Sequence, residues 1–168
     1  MIRYGAYLLV VAVGLVLEMT WLGRATIVGV APDPLVIFVM VVGLVHGSEE
    51  GALVGAGVGL LQDIVTGVPL GLGMLADQVV GFVAGLGGGV VYIESVWMPA
   101  VSAAALTGLR VGVWALAAHL VGLLGGPLLE VVRVDLVTAC YNGLIAIPIY
   151  HGLRSLDRAL VRFHEESR

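Results

Sequence analysis

The chain has 168 residues, of which 60% are apolar and 12% charged, whereas soluble domains are about 45–50% apolar and about 25% charged. Its formal charge is -4, its mean hydropathy is +1.07, and it has no basic patch, so nucleic-acid binding is not expected. Six membrane spans of about 20 residues use roughly 120 residues and leave about 48 for connections and tails. The composition therefore excludes a water-soluble enzyme and a receptor with an ectodomain, and it predicts one all-α membrane bundle.

The sequence carries no recognisable catalytic or cofactor motif. All eight basic residues are arginine, which excludes Schiff-base lysines and the phosphate-binding loops that depend on lysine. The single cysteine, Cys140, lies in an apolar stretch and has no partner for an internal disulfide. His46, Glu49 and Glu50 have the spacing of metal ligands, but we interpret them as an ordinary solvated turn. We therefore expect a protein that is not an enzyme and that binds neither a cofactor nor a metal.

Six apolar stretches predict six transmembrane helices. They cover Tyr4–Leu17, Pro34–Ser48, Gly51–Gln62, Gln78–Ile93, Ser95–Leu109 continued by Val111–Leu129, and Leu136–Leu153. The first is interpreted as a retained helix and not as a signal peptide, because Glu18 follows it where a cleavage site needs small residues. The second and third stretches are short for a full span, so they are either re-entrant or strongly dependent on neighbouring helices for cover.

The arginines outside these stretches predict the orientation of the chain in the membrane. Arg3 precedes the first helix and four arginines follow the sixth, whereas only two lie in connections on the opposite side. This distribution predicts that both termini are cytoplasmic. The expected organisation is a six-span membrane domain over residues 1–152 and a cytoplasmic tail over residues 153–168. The tail repeats Leu and Arg at helical spacing, which is typical of an amphipathic helix that lies on a membrane or docks on a cytoplasmic partner.

Glycines recur every four residues in three of the predicted helices. Helix three carries Gly51, Gly55 and Gly59, helix four carries Gly81, Gly85 and Gly89, and helix five carries Gly108 and Gly112. This spacing lets helix backbones approach closely in a membrane, where the hydrophobic effect does not drive helix association. Packing within the bundle is the favoured interpretation, and docking of a partner's membrane helix is the alternative.

Charged residues inside the predicted helices are candidates for a functional site. Arg110 lies near the middle of helix five, while Glu18 and Asp77 lie roughly 6 to 8 Å outward of their helix centres at 1.5 Å per residue. An arginine side chain reaches either carboxylate. We favour one buried ion pair that fixes the helix register, against a path for a solute or proton. Asp63, near the outer end of helix three, is expected to cap the turn over residues 67–69.

Two segments resemble the family of rod shape-determining proteins called MreD. The first, Pro32–Leu75, combines a Pro-Asp-Pro entry to helix two, a short polar turn, the glycine-rich helix three and a turn rich in Gly and Pro. The second runs from Tyr141 to Tyr150 and precedes the arginine-rich tail. The motif residues, which are candidates for a partner-binding surface, are Pro32, Asp33, Pro34, Asp63, Gly67, Pro69, Gly71, Asn142 and Pro148. The resemblance covers almost the whole chain, although Glu18 and Arg110 match no family motif.

The resemblance implies a non-enzymatic scaffold of the bacterial cell-elongation machinery in the inner membrane. Its implied partner is the single-span membrane protein MreC, with MreB and the peptidoglycan synthase of the SEDS and penicillin-binding type linked directly or indirectly. It also implies a six-helix fold similar to the S components of energy-coupling vitamin transporters. The lipid bilayer is an expected partner, nucleic acid is not, and homo-oligomerisation is left open.

Two mechanisms follow from these expectations. In the first, the glycine-stepped helices form a rigid bundle, and the outer turn Asp63–Gly71 shapes a surface for MreC. In the second, the chain is a small-solute-binding subunit of a transporter, in which Arg110, Asp77 and Glu18 face a pocket that opens to the outside.

Overall fold

The structure is a computed structural model that describes residues 2–17, 20, 32–88, 97–123, 137–153 and 155. Within these residues every regular element is an α-helix, with six helices and no strand. The helices are α1 (Ile2–Leu17), α2 (Pro34–His46), α3 (Ser48–Thr66), α4 (Leu72–Leu86), α5 (Met98–Leu120) and α6 (residues 137–153). All six predicted helices are therefore present, although several of their boundaries differ from the prediction.

Charged residues inside the helix account for the boundary differences of α3 and α4. α3 has 19 residues and extends past its apolar stretch at both ends. α4 begins at Leu72, although the apolar stretch that predicted it starts only at Gln78. Asp77 interrupts the apolar pattern but not the helix, because its carboxylate has a partner in the fold. α5 is shorter than its apolar stretch and ends at Leu120.

α2 lies at the centre of the bundle. Its residues from Leu35 to Leu44 are all buried. Hydrophobic side chains from the other five helices surround it, among them Val11, Val58, Val80, Leu106 and Ala146. A helix that is apolar on every side needs cover from neighbouring helices or from lipid. The expectation that this 13-residue helix depends on its neighbours is confirmed by its burial.

α3 and α4 form an antiparallel pair whose backbones touch through glycine. A Cβ atom at Gly55 would collide with the backbone carbonyl of Asp77, and a Cβ atom at Gly81 would collide with that of Gly51. The glycines that line this contact are Gly51, Gly55, Gly59, Gly73, Gly81 and Gly85. Because no side chain separates the two backbones, α4 holds Asp77 close to α3.

The outside of the bundle is apolar. Large exposed hydrophobic side chains lie on α1, α3, α4, α5 and α6, for example Leu8, Leu53, Phe82, Leu116 and Leu144. Among the described helices, α5 is the one that is both long and apolar enough to cross a membrane, while α2 and α4 are apolar but shorter. Exposed apolar surface on five helices is typical of contact with lipid or with partner proteins.

Candidate functional site

Polar side chains from five helices converge near the start of α2. We call this set the polar cluster: Asp33, Gln62, Asp77, Thr107, Arg110 and Asn142. Five of the six residues are buried, and the side chain of Arg110 is 20% exposed. The antiparallel helices explain the convergence, because the end of α3 meets the starts of α2, α4 and α6. Polar groups buried in this way need partners within the fold.

Arg110 of α5 is the centre of the polar cluster. Its Nε donates a hydrogen bond to Oδ1 of Asp77, and its Nη1 lies 3.3 Å from Oδ2 of Asp33. Its Nη2 donates to Oε1 of Gln62 at 3.1 Å. A guanidinium group carries five N–H donors in a rigid fork. One side chain therefore ties α5 to the start of α2, to α3 and to α4.

Asp33 both caps α2 and binds Arg110. Its Oδ1 accepts hydrogen bonds from the backbone N–H groups of Leu35 and Val36 at 3.1 and 3.3 Å, and Pro34 begins the helix. Aspartate before the helix and proline at its first position are the preferred residues at a helix N-terminus. The Pro-Asp-Pro sequence thus starts α2 and places the capping carboxylate in the polar cluster.

Asn142 connects α6 to both α5 and α2. Its Nδ2 donates a hydrogen bond to Oγ1 of Thr107 at 3.0 Å, and its Oδ1 accepts one from the backbone N–H of Asp33 at 2.9 Å. The next residue, Gly143, lies against the backbone of α5, where a Cβ atom would meet the carbonyl of Ala100 at 3.1 Å. Both ends of the Asn142 amide are used, so α6 is held in register with two other helices.

Asp63 lies beside the polar cluster and caps α4. Its carboxylate accepts hydrogen bonds from the backbone N–H groups of Gly71 at 2.8 Å, Gly73 at 3.0 Å and Met74 at 3.3 Å. Gly71 has φ 105, a left-handed conformation that suits glycine. The carboxylate therefore binds the first turn of α4, and not the turn over residues 67–69 that the sequence analysis assigned to it.

Replacing Asp63 with Ala should lower the melting temperature by about 1–8 °C, because a helix cap contributes about 0.5–2 kcal/mol to stability. The loss also leaves the buried N–H group of Gly73 without its acceptor. Glu49→Ala is the matched control, since Glu49 is an exposed acid in the first turn of α3, and it should lower the melting temperature less. Thermal unfolding of the purified variants in detergent measures both melting temperatures. A loss for Asp63→Ala no larger than that for Glu49→Ala would contradict the capping role.

The exposed side of α5 carries small residues at its centre. Val101, Ala105, Gly108, Gly112 and Leu116 are all exposed and recur at helical spacing, and we call them the glycine face of α5. A Cβ atom at Gly108 or Gly112 would meet nothing within 4 Å. The expectation that these two glycines pack inside the bundle does not hold for the described part of the chain. They instead form a shallow groove between larger side chains.

Four residues named in the sequence analysis meet in the polar cluster: Asp33, Asp77, Arg110 and Asn142. The motif residues and the charges inside the helices, which were separate groups in the sequence, therefore form one site. Of the two carboxylates considered for Arg110, Asp77 is bonded to it, whereas Glu18 lies outside the described residues. Gly89 and the tail after residue 155 also lie outside them.

The other motif residues lie around the polar cluster or away from it. Pro32 is buried directly before Asp33. Gly67 and Pro69 are exposed in the turn between α3 and α4, where Gly67 has φ 71. Pro148 is exposed on α6, about 9 Å along the helix from Asn142 at 1.5 Å per residue. The turn and Pro148 are therefore surface features, not part of the buried network.

Sequence reasoning assigned no role in a site to two members of the polar cluster, Gln62 and Thr107. Gln62 donates to the Asp33 carboxylate at 3.3 Å and accepts from Arg110, and it is 4% exposed. Thr107 accepts from Asn142 and donates to its own helix backbone. A signal for both was available, since a polar side chain in an apolar helix needs a hydrogen-bond partner on another helix.

His46 lies at the opposite end of α2 from the polar cluster. Its ring nitrogens lie 3.3 Å from the hydroxyl of Tyr7 in α1, and the Tyr7 ring packs edge-on against Phe38. His46 therefore takes part in the contact between α1 and α2, which the interpretation as a solvated turn did not include. In the part of the chain that the structure describes, no group of three His, Cys, Asp or Glu residues is arranged to hold a metal ion.

Comparison with known proteins identifies the family. Residues 2–159 match the family model for rod shape-determining protein MreD. Neither the comparison with curated proteins nor that with solved structures returns a match. The match spans nearly the whole chain and includes every described helix and every residue of the polar cluster. The chain therefore belongs to the MreD family of bacterial membrane proteins, which has a role in rod shape determination.

Proposed function

We propose that this chain is a non-enzymatic scaffold of the cell-elongation machinery, held in the inner membrane by six spans with both termini in the cytoplasm. The proposed spans lie in residues 1–152, and their fold is similar to that of transporter S components. The apolar outside of the bundle, the antiparallel path of α2, α3 and α4, and the arginine-rich chain ends support this topology.

In this topology the polar cluster lies in the outer half of the membrane. With the N-terminus in the cytoplasm, α2 and α4 begin on the outer side and α3 ends there. The level of Arg110 within α5 agrees with this arrangement, since it bonds residues close to all three of those helix ends. The exposed turn over residues 67–71 then faces the periplasm.

The partner in this proposal is MreC, and the glycine face of α5 is the observation that carries it. The face lies on the described helix that is long enough to cross a membrane. Gly108 and Gly112 are open, whereas the four-residue series of α3 (Gly51, Gly55 and Gly59) and Gly81 and Gly85 of α4 are occupied by contacts between those two helices. Open small residues at four-residue spacing let a second membrane helix approach closely. A single-span protein such as MreC supplies a helix of that kind.

The contacts behind α5 fit this role. Arg110 and Thr107 fasten α5 to the rest of the bundle through the polar cluster. The glycine face points away from those contacts, because its residues are exposed. A helix that is fixed on one side presents a rigid surface on the other, which reduces the ordering cost of binding.

Replacing Gly108 and Gly112 together with Leu should abolish co-purification with tagged MreC, because the leucine side chains fill the groove. Gly57→Leu is the matched control, since Gly57 is an exposed helical glycine with nothing within 4 Å of a Cβ atom. Size-exclusion chromatography of the co-expressed proteins in mild detergent measures the complex. Retention of MreC by the Gly108→Leu, Gly112→Leu protein would overturn the assignment of this face.

The remaining parts of the chain are assigned supporting roles in the same proposal. The outer turn, with Leu70 67% exposed at its tip, adds a periplasmic contact for MreC. The tail over residues 153–168 lies on the cytoplasmic leaflet or on a cytoplasmic partner. Through MreC, directly or indirectly, the scaffold connects MreB to the peptidoglycan synthase.

The solute-carrier alternative gains less support from the structure. It requires Arg110 and Asp77 to face a pocket and bind a solute. In the structure the two side chains bind each other, and Asp77 is 0% exposed.

A further inference from the structure

One carboxylate oxygen in the polar cluster is buried without a hydrogen bond. Asp77 is 0% exposed, and its Oδ1 accepts a hydrogen bond from Arg110. Its Oδ2 is the buried side-chain oxygen for which no partner exists among the described residues. A buried polar atom left without a partner is destabilising, and more so when it is charged. The position of this atom therefore points to a ligand that satisfies it.

The charges around Asp77 do not balance. The charged groups that face it are Asp33 at the start of α2, Asp63 of α3 and Arg110 of α5. Counting Asp77, these are three carboxylates and one guanidinium. The N-termini of α2 and α4 each add roughly half a positive charge, and the C-terminus of α3 adds roughly half a negative charge. Negative charge therefore exceeds positive charge around Asp77 among the described residues.

The uncompensated charge falls on Asp77 because the other two acids lie at helix N-termini. Asp33 accepts hydrogen bonds from two backbone N–H groups of α2. Asp63 accepts hydrogen bonds from three backbone N–H groups at the start of α4. Asp77 is the sixth residue of α4, where every backbone N–H belongs to the helix itself. Arg110 donates a hydrogen bond to Oδ1 of Asp77, and its guanidinium is shared with Asp33 and Gln62.

We propose that the polar cluster binds one additional monovalent cation, a proton or a sodium ion, at Oδ2 of Asp77. One buried oxygen is left to be satisfied, which favours a monovalent cation over calcium, since calcium takes six to eight oxygen ligands. Buried acids inside membrane proteins commonly bind protons or coupling ions. This site goes beyond the scaffold function, which requires no ion, and it is tested without MreC.

The test compares the melting temperature of the purified full-length wild type and Asp77→Asn in detergent. Sodium chloride is exchanged for choline chloride at fixed pH, and pH is lowered at fixed choline chloride. A tenfold excess of the bound cation over its dissociation constant raises the melting temperature by about 3–6 °C. The wild type should show this rise and Asp77→Asn should not. Glu49→Gln, which removes an exposed acid, should respond like the wild type.

The two arms distinguish the cations. A rise with sodium identifies a sodium site, whereas a rise on acidification without a sodium effect identifies a proton site. Asp33→Asn is a second variant, chosen because Asn keeps the helix cap and leaves Arg110 to neutralise Asp77. The melting temperature of this variant should also not depend on the cation. Asp33→Asn replaces Asp77→Asn in the test if Asp77→Asn does not fold. Equal responses of the wild type and these variants to both cations would overturn the proposal.

Discussion

Replacing Arg110 with Met is expected to lower the melting temperature by about 6–20 °C, the largest single effect in the polar cluster. Arg110 supplies hydrogen bonds or ion pairs to three residues from three different helices or caps. Its removal leaves Asp33 and Asp77 buried without their shared cation. Removing one partner of a buried ion pair lowers the free energy of unfolding by about 3–5 kcal/mol. Thermal unfolding in detergent measures the change.

The control for this prediction removes the two carboxylate charges that Arg110→Met leaves buried without a cation. Adding Asp33→Asn and Asp77→Asn to Arg110→Met should restore much of the lost stability, because a buried pair can be replaced by neutral groups at little cost. Arg110→Lys should fall between the wild type and Arg110→Met, since an ammonium group cannot bridge three partners in the way a guanidinium does. A triple variant no more stable than Arg110→Met would show that the charges are not the cause.

Replacing Gly55 and Gly59 together with Leu is expected to prevent stable packing of α3 against α4. A Cβ atom at either position collides with the backbone of α4, at Asp77 and at Gly73 respectively. Backbone atoms cannot rotate away as a flexible side chain can, so the helices must separate. Overpacking costs typically about 1–3 kcal/mol per site even when side chains can adjust. The folded yield and the melting temperature in detergent should therefore both fall.

Gly57→Leu is the matched control for this helix as well. Gly57 lies on the same helix and has open space where a Cβ atom would be placed. Leu has the higher helix propensity, so this variant should retain the wild-type melting temperature or exceed it. Normal folding of the Gly55→Leu, Gly59→Leu protein would contradict the close backbone contact between α3 and α4.

Helix number and approximate position were predictable because apolar stretches and Gly- or Pro-rich turns are local signals. The start of α4 was not, because Asp77 interrupts the apolar stretch within the helix. Asp77 lies inside the helix, and its cost is offset by Arg110 of a different helix. Only the tertiary fold reveals that pairing. The cap on α4 is also non-local, since Asp63 binds residues eight to eleven positions further along the chain.

The polar cluster was predictable in part. Charge counting and helix levels pointed to Arg110 with a carboxylate, and the family motif pointed to Asp33 and Asn142. Their convergence depends on the central position of α2, whose N-terminal cap lies at the level of Arg110. The role of the glycines was not predictable in this way. Gly55 and Gly108 both belong to series with four-residue spacing, but Gly55 packs against α4 inside the bundle and Gly108 has open space beside it. Sequence spacing alone does not distinguish the two uses.

In the proposed scaffold, the buried network is the fixed side of α5 and the open face is its free side. The polar cluster joins α5 to the helices behind it, and the glycine face is open in front. Because the two features lie on opposite sides of one helix, Arg110→Met should weaken MreC capture by loosening α5. The glycine-face variant should lose capture while the bundle stays folded.

The most direct test of partner binding is cysteine cross-linking from the glycine face of α5 to the membrane helix of MreC. The exposed native Cys140 is first replaced with Ser, and Gly108→Cys is then paired with single cysteines placed along the MreC helix. Gly57→Cys on α3 is the control. A disulfide from position 108 that recurs with helical spacing along MreC is the expected result. Cross-links from position 57 with none from position 108 would contradict docking on this face.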